Sequence, residues 1–315
     1  MGPPIRPVVI AHRGASGYLP EHTFPAKALA YEMGADYLEQ DVVATSDNEL
    51  VVLHDIHLDR VTNVAALFPD RGRDNGRYYV RDFTLDEVRQ LSVHERTNKD
   101  GSLVYPNRYQ ANGDQFHVHT FAEELAYVAA LQSGDSRPVG IYPEIKSPAW
   151  HRGEGVDITP IFLDLLRDFG YESYSDPIYV QCFDDRELIR IREDLGCDMR
   201  LIQLIGENSW GESETDYDDL RSAAGLARLS NTVDGIGPWI NQLYRTGKTG
   251  SIEDAGLVST AHELGLAVHP YTFRKDDIPQ AFESFSSLLE FTVGQLSIDG
   301  LFTDFPDLVI DELTA

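Results

Sequence analysis

Short apolar, β-branched runs alternate along the chain with segments of helical spacing, the pattern of βα units around a parallel sheet. Residues 8–12 read as the first strand. A helix follows, with Thr23 as its cap, Pro25 in its first turn and Gly34 just past its end. Residues 37–43 form the second strand. Residues 50–54 come too soon afterwards for the crossover that a parallel neighbour needs. They read instead as the return arm of a hairpin turning near Ser46-Asp47-Asn48, and symmetric pairing sets Asp41 opposite Val52 and Glu39 opposite His54. Further strands are expected at 140–146, 177–182, 199–204, 234–238, 266–272 and 299–303, and helices at 159–169, 184–195, 216–229, 252–264 and 279–291. With the hairpin arm set aside, eight strands each lead into a helical region. That predicts an α/β fold, a (β/α)8 TIM barrel closed by a helix at 305–313.

Residues 57–138 break the rhythm. Thr84-Leu85-Asp86-Glu87 fits a capping box, and 121–131 has the spacing of an ordinary barrel helix. The remainder, rich in Gly, Asn, Asp and Tyr, is too long for a connection and reads as an insertion over the barrel mouth, where substrate selection usually lives. Residues 1–315 thus form one barrel domain carrying one insertion.

Composition narrows the partners. Among 315 residues, 52 are acidic and 26 basic, a net charge of −26, which disfavours nucleic acid and anionic lipid surfaces. Part of the excess lies in a run without Lys or Arg, Glu207, Glu212, Glu214, Asp216, Asp218 and Asp219, expected to be a solvated face. No stretch approaches the ~20 apolar residues that span a bilayer, so stable membrane insertion is not expected. The start, Met1-Gly2-Pro3-Pro4-Ile5-Arg6-Pro7, has no hydrophobic signal region, which suits either a cytoplasmic terminus or a chain whose leader has been removed. Cys182 ends a strand near the mouth and Cys197 follows a returning helix of ~18 Å, beyond the ~7 Å that a disulfide spans, so both thiols are expected free.

Function in such barrels sits at the C-terminal strand ends. There the chain places His12-Arg13, Glu39 with Asp41, Glu144 with Lys146, Gln181, Tyr271 with Arg274, and Thr303-Asp304, with His54 arriving through the hairpin. Glu39 and Asp41 are two apart and share one face of their strand, as do Glu144 and Lys146. Either pair alone is explained by ion pairing to Arg13 and Lys146. Three inward carboxylates together call for a cation, and an oxygen-rich set suits Ca2+ or Mg2+. His12 and His54 titrate near neutrality and suit base and acid work, and Arg13 offers a planar fork for phosphate oxygens. Other features have plainer readings. Gly14 and Gly17 let the chain turn tightly after the first strand. Glu21 and His22 support the site; His57 and His94 are solvated; His117 and His119 alternate as in a strand; His262 is a helix residue. His269 packs in a strand, and Trp239 follows a strand end where it can line the pocket.

Taken in order, His12-Arg13-Gly14-Ala15-Ser16-Gly17-Tyr18-Leu19-Pro20-Glu21-His22-Thr23, Leu38-Glu39-Gln40-Asp41, Val51-Val52-Leu53-His54-Asp55, Pro143-Glu144-Ile145-Lys146, Val180-Gln181-Cys182-Phe183-Asp184, His269-Pro270-Tyr271-Thr272 and Asp299-Gly300-Leu301-Phe302-Thr303-Asp304-Phe305-Pro306 resemble the glycerophosphodiester phosphodiesterase family, and most closely its long, calcium-dependent, periplasmic-type branch. The resemblance implies hydrolysis of glycerophosphodiesters to an alcohol and sn-glycerol 3-phosphate. It implies Glu39, Asp41 and Glu144 as ligands of Ca2+ (or Mg2+), His12 as general base, His54 as general acid, and Arg13, Lys146, Gln181 and Tyr271 as substrate-binding residues. An extracytoplasmic location and a homodimer are compatible with it. Two alternatives are a phosphodiesterase or lyase acting on another lipid headgroup, and a surface binding protein that retains the site.

Overall fold

A computed structural model describes residues 6–110, 115–133, 136–248 and 250–314; residues 1–5 of the start, and parts of the insertion at 111–114 and 134–135, lie outside them. The strands are β1 (Val8–Ala11), β2 (Tyr37–Ala44), β3 (Leu50–Val52), β4 (Gly140–Ile145), β5 (Tyr179–Cys182), β6 (Arg200–Ile205), β7 (Gly235–Pro238), β8 (Tyr244–Thr246), β9 (Ile252–Asp254), β10 (Ala267–Val268) and β11 (Gly300–Thr303). Eight of them run parallel in the order β10-β7-β6-β5-β4-β2-β1-β11. The circle all but closes between β10 and β11, where Asp299 N donates to Val268 O (3.1 Å), Phe302 N to Pro270 O (3.0 Å) and Phe273 N to Phe302 O (2.8 Å). The result is a nearly closed TIM barrel with helices between the strands.

Strand alternation sorts the side chains. On β2 and β4, Leu38, Val42, Ile141 and Ile145 pack outward against the helices. The opposite face of β4 carries Tyr142, which packs inside the barrel with Ile10, Ile202 and Phe302. Tyr142 Oη and His269 Nδ1 share a hydrogen bond of 2.8 Å there. This layer plugs the barrel, so the polar residues two positions further along β2 and β4 emerge at its mouth.

The hairpin is present, but its register is one residue from the expected one. Val42, not Asp41, pairs with Val52, and Val43 pairs with Val51. The cause is the turn, which runs from Thr45 to Glu49 with Thr45 N bonded to Glu49 O (2.9 Å) and Asn48 left-handed (φ 65°). Leu53 N therefore donates to Asp41 O (2.9 Å), and His54 lies beyond the ladder rather than opposite Glu39.

The first helix, Phe24–Glu32, is capped by Thr23 as expected, and the helices Phe121–Leu131 and Leu85–Val88 each open with a capping box. Three expectations fail locally. Residues 252–254 form β9, antiparallel to β8, so the helix there is only Leu257–Glu263. The span 216–229 breaks into Tyr217–Leu220 and Ala223–Leu229, because Ser222 caps the second piece. The span 279–291 becomes a short helix, Phe285–Leu289, running into a π-helical Glu290–Gln295. Gly14 behaves as expected: its φ is +89° and a Cβ would lie 2.8 Å from the Ala26 carbonyl carbon. Gly17 has a different cause, since a Cβ there would strike the Phe305 ring at 2.4 Å. Both cysteines are buried free thiols. Among the described residues no helix is long and apolar enough to cross a membrane.

The insertion has its own apolar cluster, including Leu58, Val80, Phe83, Leu91 and Phe116, seated on Val43, Val51 and Leu53 of the hairpin. Beneath it, the helix Phe24–Glu32 is tied to the helix Phe121–Leu131 by a buried ion pair and to β2 by a hydrogen bond from the same lysine. Lys27 Nζ lies 2.9 Å from Glu124 Oε1, both side chains are 0% exposed, and Lys27 also donates to the carbonyl of Glu39. His119 Nε2 donates to Glu124 Oε2 (2.6 Å), so His119 is a packed partner of a carboxylate.

Replacing Lys27 with Met leaves Glu124 buried without its cation, and chemical denaturation is expected to show a loss of about 3–5 kcal/mol. Adding Glu124→Leu recovers much of that loss, since no buried charge then remains unpaired. Stability also depends on acid. Burial lowers His151 and His269 to about 4, against 6.5 for the free side chain. Between those values the unfolded chain binds more protons than the folded one. The thermal midpoint is therefore expected to hold above pH 6.5 and to fall as pH drops from 6.5 to 4, and a flat profile over that window would contradict it.

Candidate active site

The site grows from the ends of neighbouring strands. Parallel pairing of β2 and β4 sets Asp41 beside Glu144, and pairing of β4 and β5 sets Glu144 beside Gln181. These four residues of three strands, Glu39 included, are all buried. The turn after β1 adds His12 and Arg13, the latter held left-handed (φ 62°) so that its N–H donates to Glu39 Oε2 (2.6 Å). Together they surround a cavity of about 220 Å³, lined also by His54, Tyr271, Phe302, Trp239 and Arg274. Every residue given a catalytic, metal or substrate role from sequence lines this cavity except Lys146, which pairs with Glu144 at 2.8 Å.

Each histidine is oriented by a carboxylate. His12 Nδ1 donates to Asp304 Oδ1 and His54 Nδ1 to Asp55 Oδ1, both at 2.7 Å. That commits Nδ1 of each ring to its aspartate and leaves Nε2 of each for chemistry. Burial, then the charge of Arg13, lower His12 to about 3 despite the opposing pull of Asp304. The same two causes lower His54. His12 is therefore an unprotonated base at neutral pH.

The carboxylates are forced together. Burial and then Asp41 push Glu39 well above its ordinary range. Burial also pushes Glu144 well above, against the pull of Lys146. Asp41 goes the other way: burial opposes ionisation, but His54, Lys146 and the hydrogen bond from His22 Nε2 (2.7 Å) outweigh it. A compact set of donor atoms, from His22, Glu39 and Asp41, lies within 4.8 Å of one another, so His22 stands closer to the centre than a supporting role suggested. Gln181 Oε1 is buried with no hydrogen-bond partner. Competing carboxylates and an orphaned amide oxygen fit a hard divalent cation, which would relieve both.

Some members of the site had no role assigned from sequence. Arg274 and Asp304 stood at strand ends of the mouth and Asp55 within the Val51–Asp55 motif, without a function given to any of them. Glu21 bonds Arg13 (3.0 Å) and Arg96 (2.5 Å), and Arg96 continues to Asp55 (2.6 Å). Asp304 receives Arg108 (2.8 Å) and Arg274 (2.7 Å) as well as His12. Arg96 and Arg108 come from the insertion, and nothing in their local sequence marks them. Tyr271 hydrogen-bonds the carbonyl of Ile205 (2.9 Å), which fixes its ring edge-on to Phe183. The acidic run is exposed at Glu214, Asp216, Asp218 and Asp219, whereas Glu212 is half-buried and lines the cavity.

Comparison with known proteins shows what the chain is similar to. A glycerophosphodiester phosphodiesterase of Haemophilus influenzae is 40% identical over 97% of this chain and 89% of its own length. A solved structure from Silicibacter pomeroyi, described provisionally as a glycerophosphoryl diester phosphodiesterase, matches with a TM-score of 0.73 at 26% identity, over 99% of this chain and 95% of that one. An Oleispira antarctica phosphodiesterase, solved with the product sn-glycerol 3-phosphate, shares the fold with a TM-score of 0.66 at 18% identity over 98% of each chain. The family model of the glycerophosphoryl diester phosphodiesterases matches residues 12–308. Across residues 12–308, nearly its whole length, the chain belongs to the glycerophosphoryl diester phosphodiesterase family.

Proposed function

We propose that the protein hydrolyses glycerophosphodiesters to an alcohol and sn-glycerol 3-phosphate, with His12 and His54 as the acid–base pair. The observation that carries this reading is the presence of two His–Asp pairs on one cavity whose wall is three buried carboxylates. The named activity of the H. influenzae relative and the product held by the O. antarctica enzyme support the same substrate class.

Glu39, Asp41 and Glu144 would hold a hard divalent cation, Ca2+ or Mg2+, with His22 orienting Asp41. Such an ion supplies charge neutralisation for the phosphodiester and acidity for a nearby hydroxyl. The protein's own groups do the rest. Arg13 lines the cavity as a phosphate ligand, held by Glu21 at 3.0 Å and by Asp41 at 3.4 Å. His12, neutral and oriented by Asp304, takes the proton of the glycerol 2-hydroxyl, whose oxygen attacks phosphorus. His54, oriented by Asp55, gives a proton to the departing alcohol. Water then opens the cyclic phosphate with the histidines in reversed roles. His54 needs a proton for the first step, and an arriving phosphodiester anion raises its proton affinity at that moment. Lys146 contributes by steadying Glu144, and Gln181 by its unpartnered amide oxygen.

Incubation with glycerophosphocholine and Ca2+ is expected to release sn-glycerol 3-phosphate, and a chelator to stop the release. Undiminished release in chelator would remove the cation from the reading. His12→Ala and His54→Ala are each expected to lower kcat about 10²–10⁴-fold; near-wild-type turnover in either would sink that assignment. A diester lacking the 2-hydroxyl should be inert, and its rapid hydrolysis would instead indicate direct attack by water.

A further inference from the structure

We propose that a second cavity beside the two histidines is the subsite for the departing alcohol, and that it selects headgroups bearing hydroxyl or carboxylate oxygens over quaternary ammonium. This assignment rests on the diesterase reading above. The cavity measures about 140 Å³ and shares His12, Arg13, His54 and Arg274 with the main one. The reacting phosphorus therefore belongs at the wall common to both. A phosphodiester carries two arms. The carboxylates Glu39, Asp41 and Glu144 line only the main cavity, so the glycerol arm, whose 2-hydroxyl reacts, lies there. The other arm then points into the second cavity, past His54, the group assigned to protonate it.

The walls define the chemistry. Tyr105, Arg96 and Arg108, all from the insertion, close the second cavity. The guanidinium of Arg108 sits over the Tyr105 ring at 3.7 Å, so this face is already occupied by a cation and forms no aromatic cage for a trimethylammonium group. Arg96 is fixed by Glu21 and Asp55, and Arg108 by Asp276 and Asp304, so neither fork swings away. Four arginines line the cavity; Glu21 and Asp304 in the lining, with Asp55 and Asp276 behind Arg96 and Arg108, balance their charge, so what the walls present is guanidinium N–H rather than net charge. Such a surface offers N–H donors to hydroxyl and carboxylate oxygens and neither a carboxylate free of arginine nor an open aromatic face to a fixed positive charge.

The test compares kcat/KM for glycerophosphoglycerol, glycerophosphoserine and glycerophosphocholine, which share the glycerol phosphate half and differ only in the headgroup. Wild type is expected to favour the first two. Tyr105→Glu adds a carboxylate to the cavity and is expected to shift the ratio of glycerophosphoglycerol to glycerophosphocholine about tenfold toward choline. Tyr105→Phe, which keeps the ring under Arg108, guards against misfolding and should cost a few-fold on glycerophosphoglycerol with little change on glycerophosphocholine. The inhibition constant of glycerol 3-phosphate, which has no headgroup, is expected to stay within about twofold in both variants. Unchanged substrate ratios in both variants, with wild type releasing glycerol 3-phosphate, would overturn the subsite alone. Release from none of the three substrates would overturn the diesterase reading and the subsite with it.

Discussion

The structure is organised around carboxylates that the strand pattern drives inward. Glu39 on β2 sits level with Tyr142 of the apolar plug, and Asp41 on β2 and Glu144 on β4 lie two residues further out, where parallel register leaves those two side by side. Ionised carboxylates in a buried setting need positive charge or donors close by. The protein supplies several: the Arg13 N–H to Glu39, His22 to Asp41, and Lys146 to Glu144. Even so, Glu39 and Glu144 stay reluctant to ionise, first because they are buried and then, for Glu39, because Asp41 is beside it. That residual demand for charge is the physical basis of the proposed cation site.

The same economy of charge extends outward through the insertion. Glu21, Arg96, Asp55 and His54 form one chain of contacts, and Asp276, Arg108, Asp304 and His12 form another. Each ends on a histidine of the site. Because the middle link of each is an insertion arginine, the insertion holds the orienting aspartates in place as well as walling the mouth. The arginines are fixed on both sides, so they lose little side-chain freedom when a ligand arrives. Lys27 plays a comparable part from below, where its ammonium bridges Glu124 and the carbonyl of Glu39.

Much of this was legible in the chain. The eight strands, the capped helix Phe24–Glu32 and the helix Phe121–Leu131 follow from apolar period and caps, signals that act over a few residues. So did the sharing of one face by Glu39 and Asp41, since a strand repeats every two residues. The failures have equally local causes. The hairpin slipped by one residue because Asn48 enters the left-handed region and sets a turn from Thr45 to Glu49. Strand β9 was hidden within the start of what looked like helix, where only its partner β8 distinguishes the two.

The sequence by itself determined the barrel, the order of its strands, and the residue types that reach the mouth. These depend on period, caps and the direction of side chains along a strand. Only the tertiary structure decided which groups meet. Arg96 and Arg108 lie far in sequence from Glu21, Asp55 and Asp304, and nothing in their own neighbourhood distinguishes them from solvated arginines. His22 looked peripheral until the left-handed turn at its own position brought its imidazole onto Asp41. Charge pairing acts through space over a few ångströms, and sequence separation carries no record of that distance.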